Sequence, residues 1–263
     1  MVVVCSSAAT IAALMTGHGA PSLPTLPSGI RKARDRGISV DADSGKVDEP
    51  KVPSSAMLTP VVRTLLLLNG ILYLAELLYP NLLIGWLALW PGGLLVPSAA
   101  AEGTPQFLPW QIITYAFLHG GVLHLALNMY ALWLFGSRLE YLWGSQKFAV
   151  YYLSCVIGAA LTQLVVSEIT LLQGGQAYPV LGASGGVFGL LVAFGMLFPE
   201  ARLILLFPPV PIKAKWFVIG YGVIELLAGV TGTMMGVAHF AHLGGMVTGY
   251  LLLRYWRGAP PRR

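Results

Sequence analysis

Three polar side chains with the chemistry of acyl transfer lie in separate apolar stretches of this sequence: Ser184, His124 and His242. A serine hydroxyl is a weak nucleophile until an adjacent base takes its proton, and a neutral His242 could be that base. Asn128 follows His124 by four residues and so shares its face of a helix. Both could donate hydrogen bonds to the oxyanion formed when the hydroxyl attacks a carbonyl. These residue types predict nucleophilic acyl transfer.

The glycine-rich run at residues 182–186 surrounds the serine. Glycines such as Gly182 and Gly185 let the backbone approach a substrate carbonyl closely. If Ser184 begins a helix, the free N–H groups and partial positive charge of that helix end would face the same oxyanion. We find no acidic residue in the sequence that would join the serine and the histidine, so we expect a Ser-His dyad.

The composition indicates an integral membrane protein. The chain has 263 residues, of which 56% are hydrophobic and 10% charged, whereas soluble domains carry about 25% charged residues. All 16 Lys and Arg residues lie at or before the start of the first apolar span, between spans two and three, between spans four and five, or at the end of span six. By the positive-inside rule both termini are then cytoplasmic. The net charge of +5 belongs to these segments. The sequence shows no basic stripe with interleaved aromatic residues, so nucleic-acid binding is not expected.

Six apolar spans are predicted, at residues 59–78, 112–135, 148–172, 184–198, 216–231 and 237–256. The fourth holds 15 residues, or about 22 Å of helix, against a hydrocarbon core of about 30 Å. Its serine end must therefore be recessed below the outer surface, beside an aqueous cavity. The apolar segment 81–90 is too short to cross and is expected at the interface.

The three catalytic candidates are expected at a similar depth. His124, Ser184 and His242 precede the charged ends of their spans by 14, 16 and 12 residues. At 1.5 Å per residue these separations are about 21, 24 and 18 Å. The three side chains therefore fall in one layer, within about one helical turn of each other.

Three segments carry a resemblance to a known family: HGGVLHLALNM at 119–129, GASG at 182–185 and AHLGGMVTG at 241–249. In this order, on spans two, four and six, they closely resemble the rhomboid intramembrane serine proteases, over about residues 59–256. The resemblance implies an all-α, six-transmembrane-helix bundle with a short fourth helix. It also implies hydrolysis of peptide bonds in or near the transmembrane segments of other membrane proteins, without a cofactor.

The resemblance assigns roles to individual residues. It implies that Ser184 is the nucleophile and His242 the general base. It implies that His124, Asn128 and the backbone N–H of Ser184 form the oxyanion hole. Phe188 matches an aromatic residue that packs on the catalytic imidazole.

Two further motifs match the family, one of them with a substitution. Gly245 and Gly249 match a glycine pair that lets span six approach span four closely. Trp110 matches the tryptophan of a Trp-Arg motif in the first loop, but the next residue here is Gln111.

The chain divides into three regions by composition. We expect a disordered cytoplasmic tail at 1–57, rich in Pro, Gly, Ser and charge, a six-span rhomboid protease domain at 58–257 and a short cytoplasmic tail at 258–263. We expect a multi-pass protein of the bacterial inner membrane, whose partners are the lipid bilayer and single-pass or polytopic membrane substrates.

Two features allow interpretations other than a protease: the polar residues of spans five and six, and the overall pattern of the spans. His239 and His242 have a spacing that suits a metal, but no HExxH motif and no accompanying carboxylate are evident, so no metal is expected. Glu225 lies within span five, where a charge is costly, and is expected to be protonated or hydrogen-bonded, with a proton relay as the alternative. A catalytically silent rhomboid-like protein that binds membrane clients is the alternative function. A small transporter lacks the internal repeat typical of that class.

Overall fold

The computed structural model describes residues 58–92, 105–176, 178–204, 210–232 and 237–258. The predicted N-terminal tail (1–57) and all but the first residue of the predicted C-terminal tail (258–263) lie outside these residues.

The described part of the chain is mostly helical. Its helices, numbered in chain order, are α1 (Pro60–Leu78), α2 (Pro80–Leu87), α3 (Gln111–Thr114), α4 (Val122–Ala131), α5 (Ser137–Trp143), α6 (Ser145–Leu172), α7 (Ser184–Leu197), α8 (Ala214–Thr231) and α9 (His239–Gly258). Proline opens both α1 and α2, where its missing N–H leaves no intrahelical bond unmade. The predicted interfacial segment thus forms the short helix α2.

The second predicted span is not one continuous helix. α3 runs into a 3₁₀ turn at Tyr115–Phe117, and the helix is then interrupted at residues 118–121. α4 continues through a π-helical turn at Leu132–Gly136 into α5. The two parts are bent by 101°. Gly120 and Gly121 stand at the break, and glycine is a poor helix former. The span predicted over 112–135 is therefore divided into two bent helical parts.

Three of the described helices are long and apolar enough to cross a membrane: α1, α6 and α8. The bent pair from α3 to α5 gives a fourth if it counts as one span. α7 has 14 residues, about 21 Å, and begins at Ser184 as predicted. The structure is thus consistent with a rhomboid membrane bundle, while the count of six crossings stays a prediction.

A short hairpin joins α7 to α8. Strands β1 (Arg202–Ile204) and β2 (Pro211–Lys213) pair antiparallel, with Arg202 opposite Lys213. Neither strand was predicted, because three residues are too few for an alternating pattern to show. The hairpin lies next to Glu200, whose carboxylate pairs with Lys213 at 2.6 Å and also with Lys215.

Glu140 connects the start of α1 with the turn between α5 and α6. The carboxylate of Glu140 accepts hydrogen bonds from Thr59 Oγ1 at 2.5 Å, from the backbone N–H of Val62 at 2.9 Å and from Ser145 Oγ at 2.6 Å. It therefore caps the N-terminus of α1, where a negative charge is stabilising. This contact ties the start of α1 to the turn between α5 and α6.

Candidate active site

The hydroxyl of Ser184 and the imidazole of His242 are in direct contact. Ser184 is the first residue of α7 and His242 lies in the first turn of α9. Ser184 Oγ and His242 Nε2 are 2.8 Å apart, an ordinary hydrogen-bond length. The pairing predicted from the depth of the two residues is present, and their catalytic roles stay a prediction.

Close packing at glycine residues lets the backbones of α7 and α9 approach each other. A Cβ added at Gly245 of α9 would overlap the carbonyl oxygen of Gly185 in α7. Gly249 leaves room instead for the hydroxyl of Tyr151 in α6, which donates a hydrogen bond to Gly189 O at 2.8 Å. Gly245 thus brings α9 directly onto α7, as predicted, whereas Gly249 acts through a tyrosine of a third helix.

The loop that leads to Ser184 is fixed at two points. Leu89 and Val180 exchange two backbone hydrogen bonds of 2.9 Å, which join the first loop to the loop before α7. Gly182 then donates its N–H to Tyr115 O at 2.9 Å. Gly182 has a φ of +129°, a conformation that glycine adopts readily and other residues do not. The glycine at this position therefore allows the turn that presents the serine.

His124 borders the same space as the serine. A Cβ added at Gly182 would lie 2.9 Å from Nε2 of His124 and 3.7 Å from Oγ of Ser184. The imidazole, the hydroxyl and the Gly182 backbone therefore face one another. Asn128 is buried one turn further along α4 and donates its amide Nδ2–H to His124 O at 2.9 Å. His124 thus lies at the site, and the described contact of Asn128 is to its own helix.

Phe188 stacks on the imidazole of His242. The two ring centroids are 4.2 Å apart and the ring planes differ by 9°. Phe188 is one turn after Ser184, so one face of α7 carries both the hydroxyl and the phenyl ring that stacks on the imidazole of His242. The packing that the resemblance implied is present.

An acidic side chain that was not assigned to the site lies behind the histidine. Glu225 of α8 places Oε2 2.9 Å from Nδ1 of His242 and 2.6 Å from Nδ1 of His239. The expectation that no acidic residue reaches this layer is wrong, whereas the expectation that Glu225 is hydrogen-bonded is confirmed. Counting depth from Lys215 would have found it: ten residues separate the two, about 15 Å of helix.

Among the residues that the structure describes, these three side chains form a cluster whose donor atoms could bind a metal ion. The ligand atoms of Glu225, His239 and His242 lie within 4.8 Å of one another, so a carboxylate does accompany the two histidines, against expectation. Two donors that each lie about 2.0–2.2 Å from a tetrahedral zinc ion would be more than about 3 Å apart. The N···O distances of 2.6 and 2.9 Å are instead those of imidazole–carboxylate hydrogen bonds.

The first loop is anchored by the residue that departs from the family pattern. Gln111 is fully buried. Its Oε1 accepts the backbone N–H groups of Trp90 and Leu108, each at 3.2 Å, and its Nε2 donates to Trp86 O at 3.3 Å. Trp110 stacks on the indole of Trp86 and donates its Nε1–H to Trp86 O at 2.9 Å. Gln111 and Trp110 together hold α2 against α3.

Comparison with protein families decides the class of this chain. The family model of the Rhomboid domain matches residues 106–258, a stretch that holds His124, Ser184, Glu225 and His242. The chain belongs to the rhomboid family. The family membership predicted from the three sequence motifs is thus confirmed.

Relatives of this rhomboid come from fungi, animals and plants. Rhomboid protein 1, mitochondrial, of Saccharomyces cerevisiae is 37% identical over 140 residues, which cover 53% of this chain and 40% of that protein. Presenilin-associated rhomboid-like protein, mitochondrial, of Mus musculus is 33% identical over 154 residues, covering 55% and 39%. RHOMBOID-like protein 4 of Arabidopsis thaliana is 32% identical over 151 residues, covering 54% and 33%. The chain spans about two fifths or less of the length of these relatives.

The predicted location in a bacterial inner membrane is wrong. The yeast and mouse relatives are eukaryotic proteins whose names place them in mitochondria, and the cattle relative is named in the same way. Charge and hydropathy patterns report that a chain crosses a membrane and which ends share a side. They do not identify the membrane, and this is the physical reason for the error.

Proposed function

We propose that this rhomboid is an intramembrane serine endopeptidase in which Ser184 is the nucleophile and His242 the general base. The observation that carries the proposal is the 2.8 Å contact between Ser184 Oγ and His242 Nε2 at the first turn of a short apolar helix. A serine in such a contact is activated by the neighbouring imidazole. The site then needs only a peptide carbonyl and, later, a water molecule.

In the first half of the reaction, Ser184 Oγ attacks the carbonyl carbon of the scissile peptide. The hydroxyl proton passes to Nε2 of His242, and the carbonyl electron pair moves onto the oxygen. The free N–H groups at the start of α7 face that oxyanion. We assign His124 to the same hole from its position beside Gly182, and Asn128 to holding the turn of α4 that carries His124.

In the second half, the oxyanion collapses and the carbon–nitrogen bond breaks. The leaving amine takes the proton from Nε2 of His242, and an acyl-Ser184 ester remains. Water then attacks the ester as His242 removes its proton, and the carboxylic acid leaves as the proton returns to Oγ. No cofactor is needed for these steps.

The substrates we propose are membrane proteins that are cut in or near a transmembrane helix. The proposed nucleophile is at the start of α7, whose 14 residues span about 21 Å of a core of about 30 Å. A substrate helix keeps its carbonyls hydrogen-bonded along its own axis. It must therefore unwind locally to present one to Ser184, and helix-breaking residues near the cleavage site would ease that step.

We further propose that this chain acts in a mitochondrial membrane. The support is its similarity to the yeast and animal relatives with mitochondrial names. Imaging of the tagged chain in eukaryotic cells against mitochondrial and endoplasmic-reticulum markers tests the location. Fluorescence that follows the reticulum marker alone would refute it.

The activity is tested with purified chain in detergent, using a fluorophosphonate probe and a panel of single-span model substrates. We expect labelling and cleavage by the wild type, loss of both in Ser184→Ala, and a fall of at least about 10³-fold in His242→Ala, since triad members act as a unit. Ser154→Ala on α6 is the matched serine control and should match the wild type. A folded wild type that is neither labelled nor able to cleave would favour a client-binding protein instead.

A further inference from the structure

We propose that Glu225 is a positioning residue for His242, so that the dyad is extended to a hydrogen-bonded chain of Ser184, His242 and Glu225, with His239 holding the carboxylate. The inference rests on the proposed protease function. It adds a third member, carried by α8, to a reaction assigned to α7 and α9.

The two ring nitrogens of His242 contact groups of different kinds. Nε2 is 2.8 Å from Ser184 Oγ and Nδ1 is 2.9 Å from Glu225 Oε2. An ionised carboxylate oxygen can only accept a hydrogen bond, so Nδ1 must carry the proton of the neutral ring. Nε2 then keeps its lone pair and can accept the hydroxyl proton. Glu225 therefore selects the tautomer that general-base catalysis by His242 requires.

The carboxylate is itself held in place. Glu225, His239 and His242 are 6%, 6% and 7% exposed. A buried charge is tolerated when it is paired and hydrogen-bonded, and Oε2 has two imidazole neighbours, His239 at 2.6 Å and His242 at 2.9 Å. His239 thus fixes the oxygen that faces His242, which makes its own contribution indirect.

The same contact gains strength during the reaction. When His242 takes the proton from Ser184, the ring becomes an imidazolium, and a carboxylate 2.9 Å from Nδ1 stabilises that positive charge. The stabilisation is larger in a buried site than in water because solvent screens it less. An interaction that strengthens only as charge develops raises kcat and leaves substrate binding unchanged.

The test is the rate at which a fluorophosphonate probe labels Ser184 in the purified full-length chain, resolved into maximal rate and half-saturating concentration. Glu225→Gln keeps the size of the side chain but replaces one oxygen by an N–H₂ group that can donate to His242. We expect the maximal rate to fall by on the order of 10²–10⁴-fold, as when the acid of a Ser-His-Asp triad becomes an amide. The half-saturating concentration should stay within about threefold of the wild type.

Three variants separate positioning from packing. Glu225→Asp retains the charge and should keep more of the maximal rate than Glu225→Gln. His239→Asn, whose amide can donate from nearly the position of Nδ1, should stay close to the wild type, whereas His239→Phe should fall by about tenfold or more. Thermal unfolding of each variant in the same detergent gives the folded fraction by which its rate is divided.

The outcomes are distinguishable. If the wild type is labelled and Glu225→Gln is labelled at the same rate per folded molecule, Glu225 has only a structural role and the inference fails alone. If the wild type is not labelled, both the protease proposal and the role of Glu225 fail. Activity that disappears with a chelator and returns with zinc would assign the three side chains to an ion and overturn the hydrogen-bond role.

Discussion

Gly245 of α9 lies so close to Gly185 of α7 that a side chain at position 245 would overlap the Gly185 carbonyl oxygen. Gly185 follows Ser184 in the chain, and Gly245 comes three residues after His242. The approach of the two backbones therefore fixes how far the hydroxyl and the imidazole stand apart. The separation of Ser184 Oγ from His242 Nε2 in this rhomboid depends on the absence of one methyl group.

We predict that Gly245→Ala separates α7 from α9. The added Cβ would meet backbone, which cannot rotate away as a side chain can, so overpacking should cost about 1–3 kcal/mol or more. Serine labelling should fall strongly even in the folded fraction. Thermal unfolding in detergent and probe labelling measure the two effects.

Gly220→Ala on α8 is the matched control. A Cβ added at Gly220 would meet nothing within 4 Å, and alanine favours a helix over glycine by about 1 kcal/mol. This variant should be as stable as the wild type or more so, with full labelling. Equal behaviour of the two alanine variants would contradict the claimed contact.

A second prediction concerns Gly182, which combines a positive φ with a close neighbour. A Cβ here would lie 2.8 Å from Cε1 of His124 and would require a φ of +129° that non-glycine residues rarely adopt. Gly182→Ala should lose stability by about 1–2 kcal/mol and should also displace the imidazole. We expect loss of cleavage and of probe labelling.

Gly174→Ala separates backbone strain from the clash with His124. Gly174 also has a positive φ, +81°, but a Cβ there would meet nothing within 4 Å. This variant should be destabilised to a similar degree and yet label normally per folded molecule. If both variants retain labelling, the space beside Gly182 is not needed by His124.

The sequence predicted those features that depend on local pattern. The apolar length of α1, the start of α7 at Ser184 and the common depth of Ser184 and His242 all follow from counting residues along single helices. The contact of Glu225 with His242 depends on how distant segments pack. Periodicity carries no information on such pairings, so the acidic member of the site was missed although its depth could be counted.

The hairpin between α7 and α8 gives a prediction for pH. Hydrogen bonds from Lys213 and then Lys215 hold the pKa of the Glu200 carboxyl below its usual value of 4.5. A group whose pKa is lower in the folded state contributes stability fully above its unfolded pKa and loses it as the pH falls through the folded pKa. The contribution of Glu200 should therefore be constant above about pH 5 and disappear in more acidic buffer.

The comparison of wild type with Glu200→Gln by thermal unfolding measures this effect. The difference in midpoint should be present at pH 7, shrink below pH 4.5 and diminish with added salt, since exposed ion pairs are screened. Lys147, which lies over the Trp256 ring, supplies Lys147→Met as a control without that pH dependence. A difference that grows on acidification would refute the pairing.

The last prediction concerns Gln111, the residue that replaces the family arginine in the first loop. Its side chain accepts two backbone N–H groups, from Trp90 and Leu108, and donates to Trp86 O. Gln111→Met fills a similar volume with no hydrogen-bonding atoms and leaves those two N–H groups without their acceptor. Each such loss costs about 1–3 kcal/mol in a buried setting. We expect a lower unfolding midpoint.

Amide hydrogen exchange resolves the same change residue by residue. Exchange at Trp90 and Leu108 should accelerate in Gln111→Met, because opening of the loop then requires less free energy. Trp110→Phe removes only the indole N–H bond to Trp86 O and retains the ring stack, so it should accelerate exchange less. Gln111→Arg, the residue expected from the family motif, should restore part of the protection if a donor to Trp86 O is what anchors α2. Unchanged exchange at both amides in Gln111→Met would show that the loop is held by the tryptophan stack alone.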